Sequence, residues 1–286
     1  MLESLQFEFM RNALMAGLLA SVICGIMGTL VVVNRIVFLS GGIAHAAYGG
    51  IGLSFFMGWS FLAGTLGFAL AAAAVMAAVT IKARHRADTI IGVIWAVGMA
   101  TGIVLLDLTP GYHVDLMSYL FGSILTVPAS DLWIMLAVGA LVFCCVGYFY
   151  KDLIAVAYDE EFARARGVPA RGLYYLLIAV LALSIVMIIQ VVGLILVIAM
   201  LTIAPFIVEK YTKSLMAMML WSGLLNIAFT LCGLWLAFRF NLTSGAAIIL
   251  VAGTFFLLDF LYQSISDRKH RNKIPSPQKE TIQNHV

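Results

Sequence analysis

The stretch SGGIAHAAYGG, residues 40–50, sets a single histidine, His45, among glycines and alanines inside an apolar segment running from Ile36 to Met57. At about 1.5 Å of rise per residue, His45 lies about 14 Å along that segment, half the depth of a ~30 Å hydrocarbon core. An ionisable group at that depth is costly against lipid, so it should face other helices or a wet cavity. Gly41, Gly42, Gly49, Gly50 and Gly52 strip bulk from the same segment. That permits close backbone approach, or leaves room for a small solute. Read alone, the stretch supports two roles for His45: packing against a neighbour's carbonyl, or lining a transport path.

The rest of the chain makes the membrane setting plain. Of 286 residues, 63% are hydrophobic and 11% charged, with a mean hydropathy of +1.05. This balance is that of an all-α, polytopic membrane protein and excludes a soluble domain. The first apolar segment lacks a basic start and carries Glu3 and Glu8 before it, so it reads as a span and not as a cleaved signal. Cys24, Cys144, Cys145 and Cys232 lie in apolar segments without CxxC spacing, which argues against structural zinc and a disulfide framework.

Hydropathy places about nine spans, at 10–33, 36–57, 60–81, 89–107, 129–150, 172–190, 193–208, 214–238 and 244–262. The apolar run from Leu173 to Val208 is too long for one span and barely enough for two. It requires a tight turn at Val191-Val192-Gly193, or a tilted or broken second helix. All lysines and arginines except Arg11 and Arg239 fall on one side of this arrangement. The positive-inside rule makes that side cytoplasmic, with the N-terminus outside and the C-terminus inside a multi-pass cell-membrane protein. The permease domain then covers residues 1–265. The polar, proline-containing remainder, 266–286, reads as a disordered cytoplasmic tail.

Two loops are too long to be turns. The external one, LTPGYHVDLMSYLFGSILTVP (108–128), holds an amphipathic core too short to span, which predicts an interfacial or re-entrant helix. The cytoplasmic one, KDLIAVAYDEEFARARGVPARG (151–172), puts Asp159, Glu160 and Glu161 ahead of Arg164 and Arg166, with Gly167 and Pro169 as a stop. Acids in the first turn and bases in the last specify a short helix across the cytoplasmic face. By itself it is a solvated connector or a docking surface.

Several chemistries are missing from the sequence. There is no GxxxxGK[ST] nucleotide loop, no GxSxG and no HExxH. Asp107, Asp131 and Asp259 all sit near span ends, which counts against self-sufficient proton coupling. Gly98 and Gly102 form a GxxxG read as helix packing, and the scattered methionines are read as core filling.

Four segments, in order, resemble the membrane permeases of ABC-type importers for zinc, manganese and related divalent metals. IAHAAYGGIGL (43–53) is similar to that family's histidine-containing second helix, and DTIIGVIWAVGMATGIVLL (88–106) to its Asp-Thr…Gly helix. VDLMSYLFGSILTV (114–127) resembles its external re-entrant segment, and VVGLILVIAMLTIAPFIVEK (191–210) its Gly…Pro helix, with Gly193 and Pro205 in place. The resemblance covers about Met10 to Gln263. It implies a transport subunit that is not itself an enzyme and holds no permanent cofactor. It further implies a homodimer or paired permease in the bilayer, two cytoplasmic ATPase subunits, an extracytoplasmic metal-binding protein, and no nucleic-acid partner. On this reading the 151–172 loop is the coupling helix, with Asp159, Glu160, Glu161, Arg164 and Gly167 at the ATPase contact. His45 lies on the metal pathway with His113 and Asp115 at the outer mouth, while Gly41, Gly42, Gly49, Gly193 and Pro205 serve helix packing.

One position departs from the family pattern. Its members commonly carry an aspartate four residues before the histidine, and here that residue is Gly41. The pair is reduced to a lone imidazole, which suits zinc better than manganese. Two alternatives stand beside this expectation: an ABC permease for a metal chelate, and a partner-free membrane carrier or enzyme using His45.

Overall fold

The computed structural model describes residues 7–110, 120–122, 124 and 127–272. Its long helices are α1 (Glu8–Val33), α2 (Val37–Met57), α3 (Phe61–Lys82), α4 (Ala87–Asp107) and α5 (Ala129–Tyr148), followed by two short ones, α6 (Tyr150–Tyr158) and α7 (Glu160–Ala165). Four more long helices complete the chain: α8 (Ala170–Val192), α9 (Leu194–Glu209), α10 (Leu215–Phe240) and α11 (Ser244–Asn272). Every segment expected to span is helical. Seven of them are long and apolar enough to cross a membrane. The two that fall short are informative. Helix α9 has only 16 residues, and α2 is long enough but diluted by glycines, serines, Tyr48 and His45.

All of those diluting residues but His45 are buried. Most of α2 is buried, including Ser40, Tyr48 and Ser54. The exposed apolar surface belongs instead to helices such as α4, α5 and α11, where Val97, Phe143 and Leu257 stand exposed. Polarity and burial therefore run together along this chain, as a bilayer solvent requires.

Helix α1 is the hub of the other half. A methyl on Gly25 would lie 2.5 Å from the Cα of Gly223, so α1 and α10 meet backbone to backbone. Ser21 Oγ and Thr230 Oγ1 bridge the same seam at 3.1 Å. Against α9, a methyl on Gly28 would lie 2.6 Å from Leu201 O and 2.9 Å from Pro205 Cγ. Pro205 has no N–H with which to bond the carbonyl four residues back, which is Leu201. The bare face of Gly28 lies against that carbonyl. Asn226 Nδ2 of α10 donates to Met200 O, 3.0 Å, satisfying the neighbouring carbonyl on the same helix.

Gly193 separates α8 from α9 with φ +85° and ψ 160°, a backbone state that glycine alone adopts readily. Along α1, Met27 lines a seam with Leu173, Leu177 and Val180 of α8, while Gly28 meets Leu201 and Pro205 of α9. Both helices thus lead from this level to Gly193, and the chain reverses there. The expected turn at Val191-Val192-Gly193 is a one-residue break.

At the Gly193 end, Phe121 and Gly122 wedge against the break: a methyl on Gly193 would lie 2.3 Å from Gly122 N. Gly245, at the start of α11, meets Phe121 O there as well. Ile124 is buried and reaches Gly17, about two and a half turns inside α1. The described part of the 108–128 loop therefore dips into the bundle, in keeping with a re-entrant segment. At the opposite end, the 151–172 loop holds two helices where one was expected, because α6 follows α5 almost directly. Helix α11 continues to Asn272, past the boundary expected at 265; residues 273–286 lie outside the described residues.

Candidate functional site

Four of the five glycines around His45 are contact points. A methyl on Gly42 would lie 2.6 Å from Ile91 Cγ2, on Gly49 2.7 Å from Gly98 O, on Gly50 2.7 Å from Gly64 O, and on Gly52 2.3 Å from Gly102 O. These positions press α2 onto α3 and α4, and Gly98 and Gly102 answer them from α4. The GxxxG of α4 is thus an intramolecular packing seam, as its reading as packing required. Gly41 is different. A methyl there would meet only Ile198 Cδ1 of α9, at 4.0 Å, so this face of α2 is open.

His45 shares the open face, one helical turn further on. Its Nδ1 lies 2.9 Å from Gly41 O, and a carbonyl acceptor requires that nitrogen to carry the proton. Nε2 is then the nitrogen with the free lone pair, the form in which a neutral imidazole binds a metal. The ring lies over Trp95 of α4, centroids 3.9 Å apart at 30°. Phe38 abuts the same indole at 5.9 Å. His45 and Trp95 are both half-buried, so the imidazole is oriented by a hydrogen bond and a stacked ring without being sealed in. The carbonyl partner belongs to its own helix, not to a neighbour. Trp95, Phe38 and Ile198 were not legible as site residues, because nothing local in the sequence pairs α2 with α4 and α9.

Among the described residues there is no group of three or more His, Cys, Asp or Glu side chains able to hold a metal ion. Among the described residues, His45 is thus not part of such a group. His113 and Asp115 lie outside the described residues. Asp259, the carboxylate within the α11 span, is occupied: Lys210 Nζ lies 3.2 Å away, and Tyr211 Oη donates to its other oxygen. That bond to a carboxylate holds the Tyr211 phenol above its ordinary range.

The candidate docking element is well built. Asp159 Oδ1 accepts from Phe162 N at 2.9 Å, capping α7. Glu160 and Arg164 pair one turn apart. Gly167 closes the helix at φ +84°. Glu161, Tyr158 and Phe162 all face outward, with Phe162 52% exposed and Arg166 lying 5.0 Å over its ring. The charge pattern signalled this helix; Phe162 was the overlooked member, an apolar residue in the middle of a charged hexapeptide.

The chain matches the ABC 3 transport family over residues 6–263. It is 46% identical to an uncharacterised membrane protein of Synechocystis over 92% of this chain and 94% of that one. It is 33% identical to the manganese transport system membrane protein MntC of Listeria innocua, over 90% and 92%. Among solved structures it resembles PsaBC from Streptococcus pneumoniae in complex with Fab, with a TM-score of 0.82, 32% identity, and coverage of 91% of this chain and 94% of that one. With a matched region that spans both the histidine-bearing α2 and the capped α7, the chain belongs to the ABC 3 transport family.

Proposed function

We propose that this protein is the membrane permease of an ATP-driven importer for a divalent first-row metal ion, with the ion passing the open face of α2 at His45. The observation that carries this reading is the arrangement at that face: a half-buried imidazole with its Nε2 free, on a helix diluted by glycines and serines and packed against α3, α4 and α9. A family relative is named as a manganese transport membrane protein, which supports a transition metal as cargo. The permease does no bond chemistry. ATPase subunits docked on α7 through Glu161, Phe162 and their neighbours would drive the pathway between states open to either side, and a separate binding protein would deliver the ion. Two copies of the chain, or this chain and a paired permease, would enclose the path and bring a second ligand. The placement of lysines and arginines supports an outside N-terminus and a cytoplasmic α7.

Zinc is a second reading, favoured by Gly41. Without an aspartate at that position, α2 itself offers an imidazole nitrogen and no carboxylate oxygen, a set better suited to zinc than to manganese. The deciding experiment is radiometal uptake into vesicles holding the permease, its ATPase and the binding protein, with zinc and manganese in competition. Uptake should require ATP and fall at least tenfold in His45→Ala with the complex intact. Normal uptake by that variant would return His45 to packing.

A further inference from the structure

Helix α1 ends in an unusual way. Arg35 N bonds to Val32 O at 3.0 Å and Ile36 N to Val31 O at 3.0 Å, the paired bonds of a Schellman closure, and they place Arg35 at the left-handed position with φ +58°. The same pair of bonds ends α2 at Gly58 and α7 at Gly167, and at the end of α10 Leu242 N reaches back to Ala237 O across a left-handed Asn241. Those three carry the residues that tolerate a left-handed backbone. Arginine does not tolerate it at low cost, so its side chain is the feature to explain.

That side chain borders a cavity of about 490 Å³ at the basic end of the bundle. The walls come from the α1–α2 turn, the end of α3, the α6–α7 junction and the start of α8. Among the described residues its ionised groups are Arg35, Arg171 and Glu160. Glu160 is already paired with Arg164, outside the cavity wall. Arg35 and Arg171 make no hydrogen bond or ion pair with the described residues. The described walls thus present two guanidiniums without a described partner, against one carboxylate. Thr80 and Tyr158 supply hydroxyls, and Ile36 and Ile81 line it where their helices end.

We propose that this cavity binds a phosphate-class anion between Arg35 and Arg171. A guanidinium presents a planar fork of donors that matches phosphate oxygens two at a time, and two such forks on one recess suit a single phosphate better than scattered surface charge does. The anion is either the headgroup phosphate of a phospholipid from the adjoining leaflet or a soluble phosphate. The cavity sits at the level where the apolar helices give way to loops, so both sources reach it. This site is separate from the His45 path and does not rest on the metal reading.

The test uses the full-length protein in neutral detergent, titrated with short-chain phosphatidylglycerol and with phosphatidylcholine, with bound lipid counted by native mass spectrometry. Phosphatidylglycerol should bind at least tenfold more tightly than phosphatidylcholine. The pair Arg35→Gln with Arg171→Gln should abolish that preference, while Arg166→Gln, on the same loop but off the cavity, should keep it. Displacement by millimolar inorganic phosphate assigns the site to a soluble anion, and resistance to it assigns the site to lipid. Arg35→Gly separates binding from folding: glycine relieves the left-handed residue, so this variant should melt at a higher temperature and still lose the preference. Equal lipid binding by wild type and the double variant overturns the proposal. So does a double variant that binds lipid normally but no longer holds the ATPase, since the cavity would then be a protein contact.

Discussion

Gly52→Ala is the sharpest test of how α2 is held. Its new methyl would lie 2.3 Å from Gly102 O and 2.7 Å from Gly102 Cα, both backbone atoms that cannot rotate away. Ordinary contact begins at 3.4 Å, so α4 must withdraw by about 1 Å, a gap that forfeits a quarter to a half of each van der Waals contact it opens. Overpacking of this kind costs about 1–3 kcal/mol, against which alanine returns about 0.8 kcal/mol of helix propensity. Since sites along the whole seam lose contact, the upper part of that range applies, and the net loss is about 2 kcal/mol. Gly41→Ala, on the same helix, is the control. Its methyl meets only Ile198 Cδ1 at 4.0 Å, so it should gain up to about 0.8 kcal/mol from propensity alone. The assay is thermal unfolding of the two variants in one detergent, followed by tryptophan fluorescence. At about 2–4 °C per kcal/mol for a chain of this size class, Gly52→Ala should melt roughly 4–8 °C below wild type and Gly41→Ala slightly above it. Because α4 also carries Trp95, Gly52→Ala should alter the tryptophan emission before unfolding begins. Equal melting temperatures for the two variants would falsify the assignment of Gly52 to a backbone seam.

Gly41→Asp fits the open face sterically and places a carboxylate one turn from His45, so competition uptake should shift towards manganese relative to zinc; an unchanged ratio would put selectivity in the binding protein. Asp159→Ala removes the cap of α7 at a cost of about 1 kcal/mol to that helix. Co-purification with the ATPase should weaken while the melting of the spans is unaltered, and full retention of the ATPase would count against α7 as the docking element.

The chain's hydropathy settled the class of structure without help from packing. A bilayer demands that backbone polar groups be satisfied within each span, so a sequence of apolar runs has few solutions other than helices. The capped helix α7 was equally plain, because acids ahead of bases and a closing glycine act on neighbours only a turn away. The break at Gly193 was readable too, since two spans had to share a run barely long enough for them. What the linear order left open is whatever depends on which helix lies beside which. Nothing in residues 40–52 says that Gly42, Gly49 and Gly52 meet α4 while Gly41 stays open towards α9, because all four are the same residue and only the facing helix differs. The stack of His45 on Trp95 joins two helices that hydropathy treats as interchangeable. Likewise the cavity shared by Arg35 and Arg171 brings together residues far apart in the chain. Local propensity and hydropathy are properties of a few consecutive residues and could be read directly; a site is a relation between distant ones, and only close packing of the helices made it.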